Sequence, residues 1–137
     1  MNLRRLMRSS SGAAILEFAL LAPLFIAMLF GLIEFGRAYW TRQTLTEVAF
    51  HTARCMALDE ACGTQQQRVT FAVARARDYA ITVAPGAVAA TSGGTCRGQV
   101  NSHEVAISIP FSSPIAGFGV LPERLQANAC FPVFSGG

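Results

Sequence analysis

The chain has 137 residues, of which 52% are hydrophobic and 14% charged, with a mean hydropathy of +0.39 and a formal net charge of +3. This balance excludes a disordered polar chain, which carries too little apolar surface to bury, and suits an ordinary soluble domain only if the apolar residues are concentrated in one place. All eleven basic residues are arginine, and three of them, Arg4, Arg5 and Arg8, precede the most apolar stretch; from Ala13 onward eight Arg balance eight Asp and Glu. A clustered basic face of the kind that neutralises phosphates is missing, so nucleic acid is not an expected partner. The absence of lysine removes a phosphate-loop lysine and Schiff-base chemistry.

Residues 1–12, MNLRRLMRSSSG, read as a short basic, serine-rich leader. Ala13 to Ile33 follows, 21 residues with Glu17 as the single ionisable group. About 20 apolar residues suffice to cross a bilayer as a helix. With Arg4, Arg5 and Arg8 before it, the positive-inside rule places the N-terminus in the cytoplasm and everything after the span across the membrane. The predicted helix runs from about Ala13 to Met56, which would measure about 66 Å. Its membrane-spanning part is set at 13–36, with Tyr39 and Trp40 just beyond, where amphipathic rings favour the membrane–water interface. Pro23 is expected either to kink the span or, with Gly31 and Gly36, to serve helix packing in lipid.

Residues 37–137 are the predicted head, about 100 residues and enough for one small domain. Its first part, 37–56, continues the helix. Leu45, Val48, Ala49, Thr52 and Cys55/Met56 recur at helical spacing, so one face can cover a core. Thr64-Gln65-Gln66-Gln67 has the pattern of a capping box and opens a second helix over 64–80, with Val69, Ala72, Val73, Ala76 and Tyr79/Ala80 on one face. Pro85-Gly86 breaks the pattern and Ser92-Gly93-Gly94 reads as a loop. Residues 104–111 alternate as a half-buried strand, Val105, Ile107, Ile109 and Phe111 inward, and 125–133 does the same. A third strand is weakly signalled near Ile81–Ala84 or Ala87–Thr91. The expected fold is α+β: a long N-terminal transmembrane helix running into a small head with a second helix and an antiparallel sheet.

The four cysteines, Cys55, Cys62, Cys96 and Cys130, all follow the apolar span. An even count in a small domain outside the cytoplasm reads as two disulfides, for which three pairings exist. Cys55 and Cys62 would lie about 10.5 Å apart on an unbroken helix, too far to bond. A helix ending before Gly63 and turning back would close that gap, which makes Cys55–Cys62 with Cys96–Cys130 the preferred pairing. No spacing is C-x-x-C, and His51 and His103 complete no zinc pattern, so neither metal nor cofactor is expected. His51 is read as a partly buried helix residue and His103 as a loop residue just before a strand.

The most informative stretch is Ser11-Gly12-Ala13-Ala14-Ile15-Leu16-Glu17-Phe18. A carboxylate in an apolar span costs about 2.5–3.5 kcal/mol at the helix centre and less near its end, so Glu17 calls for a partner. A basic leader, a glycine, four mostly apolar residues, then glutamate and an aromatic resembles the prepilin family. Ala19-Leu20-Leu21-Ala22-Pro23-Leu24 and Gly31-Leu32-Ile33-Glu34-Phe35-Gly36-Arg37 extend this to the TadE-like minor pilins, or pseudopilins, of tight-adherence (Tad/Flp) pilus systems, over about the first 55 residues.

The resemblance implies a substrate, not an enzyme. Prepilin peptidase would cut between Gly12 and Ala13, where a glycine lets backbone approach the catalytic carboxylates. Glu17, beside Phe18, would pair with the Ala13 amine of an adjacent subunit and set its axial register. The implied partners are prepilin peptidase, other Tad/Flp major and minor pilins, the inner-membrane pilus assembly platform and membrane lipid. The implied location is a single pass in a bacterial inner membrane, with the N-terminus cytoplasmic, the head periplasmic and entry into an extracellular adhesive pilus an extension of that role. The abundant Flp pilins are shorter and carry Glu-Tyr at this point, so a head of this size points to a minor subunit. Glu34 is read as solvated or paired with Arg37.

Three other classes compete. A secreted protein with an ordinary signal peptide would need a shorter apolar region and an Ala-x-Ala-like site. A permanently anchored envelope protein with a disulfide-bonded ligand-binding head leaves the Gly12–Glu17 arrangement unexplained. An enzyme finds no G-x-S-x-G, H-E-x-x-H or phosphate loop.

Overall fold

The computed structural model describes residues 10–58 and 60–134. The predicted basic cluster Arg4, Arg5 and Arg8 lies outside the described residues. Helix α1 (Ser10–Leu58) is followed by a short 3-10 turn (Glu60–Cys62), helix α2 (Gln65–Asp78), a second turn (Pro85–Ala87), strands β1 (Val88–Cys96) and β2 (Gln99–Pro110), a third turn (Ala116–Phe118) and strand β3 (Arg124–Pro132). The class is α+β, as the sequence leads one to expect. Chain contacts divide into two compact units, up to Gly36 and from Arg37 onward.

In the first unit, α1 is uninterrupted through Pro23. Every large apolar side chain from Ile15 to Phe35 is exposed around the whole helix circumference. A helix apolar on all sides has no face to turn to water, which is the signature of a segment that needs an apolar surrounding. The helix over Gly12–Leu58 is long and apolar enough to cross a membrane.

In the second unit the same helix becomes one-sided. Leu45, Val48, Ala49, Thr52 and Ala53 are fully buried. They share one core with Ala72 and Ala76 of α2 and with Val105, Ile107, Ile109, Leu125, Ala127 and Ala129 of the sheet. Small residues dominate the helical side of this core, so backbones and sheet can approach closely. The sheet is a three-stranded antiparallel meander in the order β1-β2-β3. Its register pairs Val88 with Ile107 and Ile107 with Ala127, and likewise Ile109 with Leu125, so inward side chains line up across all three strands.

Helix α2 starts where its chemistry dictates. The Thr64 hydroxyl accepts from the Gln67 N–H (3.3 Å) and the Gln67 side chain accepts from the Thr64 N–H (2.9 Å), closing the capping box. It stops at Asp78, short of the predicted Ala80. The Ile81 N–H returns to the Ala76 carbonyl (3.0 Å) and the Ala80 N–H to Arg77 (2.9 Å), with Ala80 left-handed at φ 57°. That is a Schellman ending, and it turns Tyr79 and Ala80 off the buried face.

Two further expectations are corrected. Ser92-Gly93-Gly94 is not a loop but part of β1, which extends the Ala87–Thr91 option to Cys96; Gly93 takes a left-handed φ of 70° and the register shifts between Thr91 and Gly94. Glycine permits this bulge because it adopts a positive φ that other residues resist. Because β1 runs that far, β2 begins at Gln99 instead of 104, and His103 is a strand residue, 9% exposed, on the inward face with Val105. Periodicity missed this end of the hairpin because Asn101-Ser102-His103 carries no apolar alternation.

Candidate functional site

The sequence points to two regions: the start of α1 and the cysteines of the head. Gly12 is the third residue of α1, so the predicted cleavage position lies in the first helical turn. Ala13 and Glu17 are both exposed and stand four residues apart, one above the other on a single face, with about 6 Å of axial rise between them. Phe18 projects from the adjacent face and is exposed as well. Among the described residues no ion pair holds the Glu17 carboxylate, while Ile15, Leu16, Leu20 and Leu21 around it present apolar surface. In lipid this arrangement is a single acceptor in an apolar sleeve, which can be stabilised by a cation brought by another molecule. Glu34 is 7% exposed, so of its two readings, solvated or paired with Arg37, the solvated one does not hold.

The cysteines of the head pair as Cys55–Cys62 and Cys96–Cys130, with Cα separations of 5.7 and 5.9 Å. The first bridge forms because α1 ends at Leu58 and the Glu60–Cys62 turn brings the chain back. Arg68 fixes that turn from α2, donating from Nε to the Cys62 carbonyl (2.9 Å) and from Nη2 to the Gly63 carbonyl (2.9 Å). The second bridge joins the far end of the β1–β2 hairpin to β3, and Arg97 in the hairpin turn adds hydrogen bonds to the Asn128 backbone carbonyl (3.0 Å) and side-chain oxygen (2.7 Å). With all four thiols bonded, none is a nucleophile in this state. His51 donates from Nε2 to the Glu47 carboxylate (3.0 Å) one turn earlier on the surface of α1.

His103 is the unexpected residue of the head. Burial lowers its pKa below the usual histidine value, and the neighbouring Arg68 charge adds to the shift. Among the described residues its Nδ1 has no hydrogen-bond partner. Burial and the Arg68 charge both favour the uncharged imidazole over the imidazolium. The outer face of the sheet carries a shallow concavity of about 460 Å³ with Ser108, Arg124, Gln126 and Asn128 in its lining. Arg124 is tied down there by Ser108 through its hydroxyl (3.2 Å) and carbonyl (3.3 Å).

Arg37, read from the sequence only as a candidate partner for Glu34, has a long-range role as well. It donates to the Ser112 carbonyl (2.6 Å) and lies over the Phe111 ring at 5.1 Å from its centroid, tying the β2–β3 connection to α1. Nothing in the local pattern of Glu34-Phe35-Gly36-Arg37 reveals a partner 75 residues away.

Residues 12–54 match the family model described as TadE-like protein. The matched stretch begins at Gly12, contains Glu17, Phe18 and Pro23, and ends just before Cys55. No curated protein and no solved structure matches the chain.

Proposed function

We propose that the chain is the precursor of a minor pilin, a pseudopilin, of a Tad/Flp-type pilus or related secretion apparatus used for adhesion. The TadE-like stretch suggests a Tad pilus-associated protein, and its start at Gly12 carries the finer reading. Prepilin peptidase cuts after Gly12 and leaves Ala13 as the new amino terminus. Glu17, exposed one turn further along in an apolar helix, accepts the Ala13 amine of a neighbouring pilin and sets the axial register of the pair. The charge pair is strong there because lipid offers neither partner an alternative.

The role is assembly, not catalysis. The apolar part of α1 anchors the subunit in the inner membrane, with the leader cytoplasmic and the head periplasmic, and packs against other pilin helices. The assembly platform draws on the same helix. The disulfide-held head is the rigid surface offered to partners.

The test is the N-terminus and intact mass of the protein from its native membranes, with and without the prepilin peptidase. A chain beginning at Ala13 that disappears when the peptidase is absent is the expected result. A chain still carrying residues 1–12 in both strains overturns the reading and leaves a permanently anchored envelope protein. A start beyond residue 33 makes it an exported domain.

A further inference from the structure

Strand β3 lies at the edge of the sheet: β2 pairs with it on one side, and among the described residues no strand pairs with it on the other. The hydrogen bonds just beyond its two ends set which residues face the open side. The Phe111 N–H donates to the Glu123 carbonyl (2.8 Å) and the Val133 N–H to the Asn101 carbonyl (2.9 Å), so the odd-numbered residues of β3 bond to β2. Gln126, Asn128 and Cys130 therefore turn their N–H and C=O groups to the free edge. Among the described residues one side chain reaches these groups: Arg97 donates from Nη2 to the Asn128 carbonyl (3.0 Å). Pro132, which has no N–H to offer, ends the strand beyond Cys130. The open stretch from Gln126 to Cys130 is about 14 Å long.

The edge lies in a groove built entirely within the unit that starts at Arg37. At one end is the concavity over Gln126 and Asn128, which Arg42 of α1 and Arg124 also line. At the other, a hollow of about 460 Å³ runs between Thr46, Glu47 and Phe50 of α1 and Arg97 and Gln99 of the hairpin end. Asn128 lines both, so the two hollows meet on the strand. Positive charge dominates here. Among the described residues Arg42, Arg97 and Arg124 form no ion pair, and the bonds of Arg97 and Arg124 go to neutral oxygens. Of the nearby carboxylates, Glu47 is engaged by His51 (3.0 Å) and Glu104 accepts from Asn128 Nδ2 (3.4 Å). Among the described residues no carboxylate lines the Arg42–Arg124 end.

We propose that this edge takes an extended acidic segment of a partner protein, which adds to the sheet as a fourth strand beside β3. Backbone donors and acceptors repeating at strand spacing are matched by another backbone, and not by a sugar or a lipid headgroup. Carboxylates along that segment meet the unpaired guanidinium groups of Arg42 and Arg124, and Arg97 exchanges the Asn128 carbonyl for a charged acceptor. A second copy of β3 does not suit the edge, because it brings its own arginines against these. The inference deepens the assembly reading by naming the chemistry of a head partner. It rests on the head alone and not on cleavage after Gly12.

The test uses the full chain in dodecyl maltoside micelles and a short fluorescein-labelled peptide alternating glutamate with valine, read by fluorescence anisotropy. Strand pairing is removed from either side. Gln126→Pro deletes an edge N–H that β2 does not use, and N-methylation of alternate peptide amides deletes the peptide's own donors. Each is expected to weaken binding about tenfold, the worth of one or two hydrogen bonds. Should Gln126→Pro melt below the parent, the N-methylated peptide carries the same test on the unaltered protein. Arg42→Gln and Arg124→Gln, both at exposed positions, are each expected to weaken binding about threefold and to flatten its salt dependence. Four outcomes overturn the proposal. No binding at millimolar peptide shows that the edge takes no acidic strand. Equal binding of the same peptide with lysine for glutamate removes the acidic partner. Binding that survives both N-methylation and Gln126→Pro shows charge attraction without a strand. Dimerisation of the unaltered chain that Gln126→Pro abolishes puts a second copy on the edge instead.

Discussion

Cys96 and Cys130 hold their Cα atoms 5.9 Å apart although β2 lies between the two strands that carry them. In a regular sheet two strand spacings, about 9.6 Å together, would lie between them. The offset along the strands would add to that, because Cys130 is in register with Glu104 and Thr91 while Cys96 lies further along β1 opposite Gln99. The difference is made up at the hairpin end, where the register shifts between Thr91, Gly94 and Cys96 while Cys96 still pairs with Gln99. The bridge therefore locks a distortion and closes all three strands into one unit.

The two disulfides should contribute unequally. Chain-entropy arguments assign about 4 kcal/mol to the Cys96–Cys130 bridge, with a sequence separation of 34, and about 2 kcal/mol to Cys55–Cys62, with a separation of 7. Urea unfolding of the full chain in detergent, comparing the paired Ser substitutions, is expected to give the larger drop for Cys96→Ser/Cys130→Ser. Equal losses would mean that the short bridge also holds the α1–α2 turn against alternatives that chain entropy does not count.

His103 should make head stability fall in acid. Its folded pKa lies below the unfolded value of 6.5, so below that pH the unfolded chain binds a proton that the folded one refuses. Stability is undiminished above 6.5, decreases as pH falls through it, and levels off once the folded imidazole also protonates. Thermal melts across this range are expected to show the decline, and His103→Gln to flatten it. The flattening separates this histidine from His51, which is left unchanged and sits on the helix surface beside Glu47.

The ends of α2 offer two opposite changes. Thr64→Ala removes the hydroxyl that accepts the Gln67 N–H and should cost about 1 kcal/mol. Ala80→Gly relieves a left-handed alanine at the helix ending and should stabilise by about 0.5–1 kcal/mol. Denaturant midpoints of the two variants are expected to move to opposite sides of the parent.

Glu17→Gln tests the assembly role separately from processing. The change keeps the size and removes the charge, so cleavage after Gly12 should proceed while recovery of other pilins with the subunit from membranes drops. Intact mass and co-purification read the two effects independently. Loss of cleavage would instead place Glu17 in peptidase recognition.

These outcomes depend on features that were legible to different degrees. The α1 core face was readable because Leu45, Val48, Ala49 and Thr52 repeat at the helical period and all four are buried. Thr64 and Gln67 announced the start of α2 because a capping box is local chemistry within four residues. The cysteine pairing was readable in part: a helix must end to join Cys55 to Cys62, and the remaining two then have each other. The exposed Glu17 in its apolar sleeve was visible for the same local reason.

The sequence by itself determined what is decided within a few residues: the apolar run of α1, its change from all-round to one-sided at about Arg37, the cap of α2 and the alternation of Val105, Ile107 and Ile109. Tertiary structure alone decided the rest. His103 became a buried strand residue with a lowered pKa because the hairpin extended to Cys96 and β2 began at Gln99. Arg37 became a tether because Ser112, 75 residues on, returned its carbonyl to that point of the helix. The reason is common to both. A periodic pattern records which side of an element faces apolar matter, and helix and strand periods are fixed by backbone geometry. Which polar group stands opposite depends on how distant segments are brought together, and no short stretch of chain encodes that meeting by itself.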